Sequence, residues 1–129
     1  MSATINQVWP YQQDQMNLPV ANLDAALPFY ETVMGFRLVS RNETPYPSAV
    51  IARDSILLGL AENGGDPTQD GCFFAVDNLE AAFAELKANG LPRENPTYDY
   101  QKYGAATWKV FFVVAPDGLC YCYGERQPG

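Results

Sequence analysis

Apolar positions along this chain follow two periods, and the switch between them occurs twice. Val20-Ala21-Asn22-Leu23-Asp24-Ala25-Ala26 is matched by Val76-Asp77-Asn78-Leu79-Glu80-Ala81-Ala82 at a constant offset of 56 (78 minus 22). In each copy a short apolar strand runs into Asn, and helical spacing begins at once. Asn is a good N-cap because its side-chain oxygen accepts an orphan backbone N–H. The acid two residues on, Asp24 or Glu80, favours the positive end of the helix dipole. Leu23, Ala26, Leu27, Tyr30 and Met34 then form one apolar stripe, and Leu79, Ala82, Phe83 and Leu86 form another. Gly35 and Gly90 stand where each helix should stop.

After each helix the period falls to two. Strands are predicted at about 36–42, 48–53 and 55–61 in the first half, and at about 95–100, 108–114 and 119–124 in the second. Arg53-Asp54 and Pro116-Asp117-Gly118 have the composition of tight hairpin turns, and Asn63-Gly64-Gly65-Asp66-Pro67 that of a linker. The pattern predicts one α+β domain of two βαβββ modules, about 14–62 and 70–125. A half-sheet with one helix cannot bury both of its faces. The modules are therefore expected side by side as a curved eight-stranded sheet, with helices on the convex side and a cleft on the concave side.

Composition narrows the function. The 129 residues are 47% hydrophobic and 18% charged, an ordinary globular balance with no apolar run long enough for a bilayer. The opening MSATINQVWPYQQDQ carries neither a basic cluster nor an apolar stretch, so no signal peptide is read and the cytoplasm is the expected location. A formal net charge of −7 argues against nucleic acid, whose phosphates call for a basic stripe. There is no histidine, which removes the commonest general base and the commonest transition-metal ligand. Ser40, Ser48 and Ser55 thus have no Ser–His chemistry, and Cys120 or Cys122 as nucleophile would have only Lys109 nearby. Cys72, Cys120 and Cys122 lack zinc-type spacing and read as reduced thiols, Cys120 and Cys122 sharing one strand face. Glu31, Glu43, Glu80, Glu85 and Glu94 are scattered and read as solvated.

The phrases LPVANLDAALPFYETVMGF, FAVDNLEAAFAELKANG and VVAPDGLCYCYGE, with Phe29-Tyr30 ahead of Gly35, resemble the vicinal oxygen chelate superfamily from about Gln15 to Glu125. The ending Tyr123-Gly124-Glu125 is most similar to its bleomycin-resistance branch. Enzymes of that superfamily hold a divalent metal with His, Glu or Gln from four cleft-facing strands. The resemblance carries those positions onto Gln15, a residue near Gly59, Gly71 and Cys122, of which only Gln15 could coordinate a hard ion. No metal, no other cofactor and no catalytic residue is therefore expected. Gly at two of these positions either opens space for a bulky flat ligand or tolerates close backbone packing.

Strand parity sorts the remaining side chains. Gln15, Asn17 and Pro19 are expected to face the cleft, with Met16, Leu18 and Val20 packed on the helices. Leu57, Gly59, Phe73, Ala75, Cys120 and Cys122 should line the same concave side, which suits binding better than acid–base chemistry. Within PTYDYQKYGAATW, the residues Tyr98, Tyr100, Tyr103 and Trp108 are candidates for a wall that stacks a planar group, or else half-buried spacers of an edge strand. Tyr46 could oppose them from the other module. Trp9 and Tyr11 read as an arm, folded on their own chain or on a second subunit. The expected protein binds a small molecule, aromatic in part, and the resemblance implies an antibiotic or similar metabolite and a homodimer. The alternative is a superfamily lyase, isomerase or dioxygenase with a rearranged metal site drawing on Gln15 and Glu125 or Asp70.

Overall fold

A computed structural model of the chain describes residues 3–10, 15–68, 70–92, 97–116 and 118–128. Two four-strand sets run through it in the same order. The first comprises β2 (Leu18–Pro19), α1 (Leu23–Pro28), β3 (Arg37–Asn42), β4 (Ser48–Arg53) and β5 (Ile56–Ala61). The second comprises β6 (Asp70–Val76), α2 (Leu79–Ala88), β7 (Asp99–Tyr103), β8 (Ala106–Val114) and β9 (Cys120–Arg126). Hydrogen bonds join them as β2-β5-β4-β3 and as β6-β9-β8-β7, so each first strand lies parallel to its set's last.

The fold is the expected α+β, but the expected single sheet is two. A further strand, β1 (Ile5–Pro10), pairs antiparallel with the edge of the second sheet at β6. Its pattern hides it: a bulge between Ile5 and Gln7 breaks the alternation by which a strand is read. Tyr11, Glu94 and Asp117 lie outside the described residues.

The two helix starts are built alike. Asn22 Oδ1 accepts from Ala25 N, and Asn78 Oδ1 from Ala81 N, both at 3.0 Å. A glutamate from the end of the same strand set caps each helix again. Leu23 N donates to Glu62 Oε2 at 2.9 Å, and Leu79 N to Glu125 Oε1 at 2.7 Å. Two of the four orphan N–H groups at each start are thereby satisfied, with a negative charge at the positive end of the helix. Beyond Pro28 the first helix widens into a π turn, Phe29–Val33, closed by Met34 N to Phe29 O at 3.1 Å. Gly35 and Gly90 follow at φ +77 and +111, a region glycine enters without strain.

One core lies between helices and sheets and draws on both sets, from Leu18, Leu23 and Leu58 to Phe74, Phe111 and Tyr123. The hydroxyls of Tyr30 and Tyr121 meet across it at 2.6 Å. Arg53, 9% exposed, is the buried charge of the structure among the described residues. Its guanidinium donates to Met34 O, Ala3 O and Glu85, the last at 2.6 and 2.9 Å. Glu85 is therefore a part-buried ion-pair partner instead of the solvated acid its helical position suggested. Burial raises the Cys72 thiol to about 12, so this cysteine is a packing residue.

Candidate ligand-binding site

Residues opposite one another in a ladder share a face. In the second sheet one face carries Val8, Phe74, Tyr123 and Phe111, all packed into the core. The other face carries Trp9, Phe73, Cys122 and Phe112 in one row, then Ala75, Gly124, Val110 and Asp99, then Trp108 with Gln101. Phe73, Ala75, Val110 and Cys122 form a second buried cluster, separate from the main core, with Trp108 packed on it.

Four rings converge there. Phe73 lies 5.5 Å from Trp9, 5.3 Å from Trp108 and 5.8 Å from Tyr103, measured between ring centroids, and Trp9 lies 5.8 Å from Trp108. Three of the four contacts are near perpendicular, the edge-to-face arrangement aromatic quadrupoles favour. Trp9 and Tyr103 stand on the two edge strands of this five-stranded sheet, which flat pairing would separate by about 19 Å. Because both touch Phe73, their rings are at most about 11 Å apart. Gly124 permits this: a Cβ there would come within 2.4 Å of Phe73 Cζ, so only glycine leaves the ring room to lie across β9. Phe73 is 4% exposed and forms a floor, whereas Trp9 at 44% and Tyr103 at 48% are walls with ring surface open to solvent. The Tyr103 hydroxyl is held by Gln101 Oε1.

Not every expected residue joins this group. Tyr100 pairs with Lys109, whose ammonium lies over the Tyr98 ring at 4.2 Å and 3.7 Å from Glu80. That is the helix side of the sheet, where Tyr98 also packs on Phe111. Tyr98 and Tyr100 are thus separated from Tyr103 and Trp108, because residues of opposite parity on one strand cannot share a face. Burial raises the Tyr98 hydroxyl, with Glu80 and Glu125 adding to the effect. Lys109 is likewise turned away from the cysteine face. Tyr46 stays in the β3–β4 connection of the first sheet, 36% exposed, with no ring contact to the cluster among the described residues. Cys122 is fully buried beside Phe73, and Cys120 lies at the end of the same face, opposite Val114 and Asp70.

Gln15 and Asn17 belong to the first sheet, in a 3₁₀ turn, Gln15–Asn17, where a regular strand was expected. Parity therefore fails there, and Met16 is 40% exposed instead of packed on the helices. Gln15 Nε2 donates to Leu57 O at 2.9 Å, and Asn17 O accepts from Asn63 Nδ2 at 3.0 Å. The turn lies directly on Gly59, where a Cβ would be 1.9 Å from Met16 O.

These positions do not fit the metal site that the resemblance suggested. The space above Gly59 holds backbone, so no ligating side chain can extend from it. Between Asp70 and Phe73 the ladder advances three residues on β6 against two on β9, a bulge that turns Gly71 toward the core. A Cβ on Gly71 would be 2.7 Å from the Tyr121 ring. Neither glycine opens room for a ligand; both accommodate close packing. Gln15 Nε2 is tied to Leu57 O, which fixes that side chain on β5, and Glu125 is engaged at the start of α2.

Comparison with known proteins places this geometry. The model of the glyoxalase/bleomycin resistance protein/dioxygenase superfamily matches residues 12–119. The chain belongs to this superfamily. Among solved structures it is similar to a bleomycin-binding protein complexed with bleomycin, with 23% identity, a TM-score of 0.62, and coverage of 90% of this chain and 99% of that one. TnmS3, an antibiotic binding protein from Streptomyces sp. CB03234, shares 17% identity at a TM-score of 0.62, over 90% and 97% of the two chains. A superfamily member from Alicyclobacillus acidocaldarius shares 14% at 0.67, over 93% and 95%. At these identities the likeness is one of fold. No protein of curated function matches the chain at a significant level.

The sequence pointed to Phe73, Tyr103 and Trp108 individually. It missed Trp9 as their neighbour, since that contact depends on the pairing of β1 with the distant β6, whereas Gln101 faces Trp108 across a local hairpin. Gly124 was also missed, though its place in the Cys120, Cys122 alternation was the signal that puts it on the same sheet face.

Proposed function

We propose that this superfamily member is a metal-independent binding protein that holds a planar aromatic part of a small molecule between Trp9 and Tyr103, over the floor of Phe73 and Trp108. An antibiotic or similar secondary metabolite, sequestered and so made harmless, is the ligand class this reading favours. The observation that carries it is the four-ring group on the side of the sheet away from the core. Rings there gain nothing for the main core, yet two of them keep exposed faces. Gln101 and Asp99 on the same face supply polar groups to orient a ligand. The antibiotic-binding proteins among the structural neighbours support the choice of class. Exposed Phe112 and Val114 on this face, and Leu57 and Met16 on the first sheet, favour a homodimer in which a second copy covers apolar surface. No helix of the described residues is long and apolar enough to cross a membrane.

Tryptophan fluorescence titrated with a panel of planar antibiotics tests the reading. Quenching should saturate for at least one compound, and Trp9→Ala or Tyr103→Ala should weaken its binding about tenfold each. Tyr98→Ala and Tyr100→Ala, on the opposite face, should bind normally. Equal losses from both faces, or no saturable quenching with any compound, would defeat the assignment.

A further inference from the structure

Two Asn-Gly pairs occur in the chain, and the structure sets them apart. Glycine offers no side chain to hinder its own nitrogen, so Asn-Gly is the dipeptide most open to intramolecular attack on the asparagine amide. Asn63-Gly64 lies in the connection between β5 and β6, with Gly64 at φ +82; both glycines have open space on the side a Cβ would occupy, and what differs is the hydrogen bonding of the glycine nitrogen. Asn89-Gly90 ends α2, where Gly90 N donates to Lys87 O at 3.1 Å and Asn89 N to Glu85 O at 3.0 Å.

We infer that Asn63 is a site of spontaneous deamidation, and that its conversion loosens the Gln15–Asn17 turn from the first sheet. Gly64 N attacks Asn63 Cγ; the N–Cγ bond forms, the Cγ–Nδ2 bond breaks, and ammonia leaves with the proton from Gly64 N. Water then opens the succinimide at either carbonyl to give aspartate or isoaspartate. The net reaction is asparagine plus water to an acid plus ammonia, with no other reactant.

The structural consequence follows from what the amide holds. Asn63 Nδ2 donates to Asn17 O at 3.0 Å, and Asn63 Oδ1 accepts from Gly65 N at 2.9 Å. The second bond survives in an aspartate. The first cannot, since a carboxylate oxygen facing a carbonyl oxygen has no proton to share and repels it. Isoaspartate also lengthens the backbone by one atom and displaces the group altogether. The turn then keeps Gln15 Nε2 to Leu57 O as its side-chain tie to β5, and its backbone is what covers Gly59. Loss of the Asn63 tie thus loosens the backbone that covers Gly59 without touching the four-ring group.

Purified protein held in mildly alkaline buffer at body temperature, sampled over weeks and mapped by peptide mass spectrometry, measures both halves. Asn63 should convert several-fold faster than Asn89, because the nitrogen that attacks Asn89 is already committed to a backbone hydrogen bond worth about 1 kcal/mol. Asn63→Asp should speed hydrogen exchange at residues 15–18 several-fold with exchange in α2 unchanged, and Asn63→Gln should block conversion at this site. Equal rates at the two asparagines, or an intact Asn63 where Asn89 converts, overturns the site. Unchanged exchange at 15–18 in Asn63→Asp overturns the consequence.

Discussion

Gly59→Ala is the substitution whose outcome the structure constrains most tightly. The added carbon would stand 1.9 Å from Met16 O, 2.4 Å from Met16 C and 2.8 Å from Met16 Cα, against an ordinary contact of 3.4 Å or more. About 1.5 Å of separation must be found. The neighbour is backbone, so no rotamer change relieves it. Strand β5 cannot yield, because β4 pairs with it at Val50–Gly59 and β2 on the other side at Leu18–Leu60. The Gln15–Asn17 turn must therefore lift, straining or losing Gln15 to Leu57 and Asn63 to Asn17. Overpacking together with these bonds costs about 2–4 kcal/mol, or about 10 °C in melting temperature for a domain of this size. Urea unfolding followed by circular dichroism reads the first, and hydrogen exchange at residues 15–18 locates the change. Leu57→Ala, on the exposed face of the same strand, should cost well under half as much. If Gly59→Ala falls within about 0.5 kcal/mol of the parent with the turn still protected, the close approach is wrong, and with it the argument against a metal ligand at this position.

Other expectations can be checked with the same unfolding assay. Gly124→Ala drives a Cβ against the Phe73 ring and should cost about 1–3 kcal/mol while weakening any ligand that quenches tryptophan. Tyr123→Phe should be neutral or stabilising, because the buried Tyr123 hydroxyl finds no hydrogen-bond partner among the described residues. Arg53→Met should destabilise by about 3–5 kcal/mol, since Glu85 is left charged in a half-dry site, and Arg53→Met with Glu85→Leu should recover much of that loss. Alkali should unfold the protein early. Cys72, raised from 9.0 to about 12, keeps its proton in the folded state while the unfolded thiol ionises, and buried Tyr121 and Tyr123 are shifted the same way. Stability is therefore full below about pH 9 and falls as pH rises, Cys72 alone adding a slope of up to about 1.4 kcal/mol per pH unit that Cys72→Ala removes.

Local rules were sufficient wherever structure depends on neighbours in sequence. Asn22 and Asn78 are helix caps because a side-chain oxygen needs only the N–H three residues on. Gly35 and Gly90 take positive φ because that is a property of one residue, and Cys120 shares a sheet face with Cys122, as Phe73 does with Ala75, because a strand's period is two. The absence of histidine was equally legible, since it is a matter of composition. What sequence alone left undecided turned on partners far along the chain. The second caps, Glu62 just past β5 and Glu125 in β9, lie 39 and 46 residues away. Whether Gly59 and Gly71 mark open space or close packing depended on Met16 and Tyr121, and the structure decided for packing. Bulges at Ile5/Gln7 and Asp70/Phe73 shift the alternation by one residue and leave no mark in composition. The meeting of Trp9 with Phe73, Trp108 and Tyr103 required two edge strands to face each other across a bare glycine. Periodicity reports which way a side chain points along its own strand; only the pairing of strands determines what it meets there.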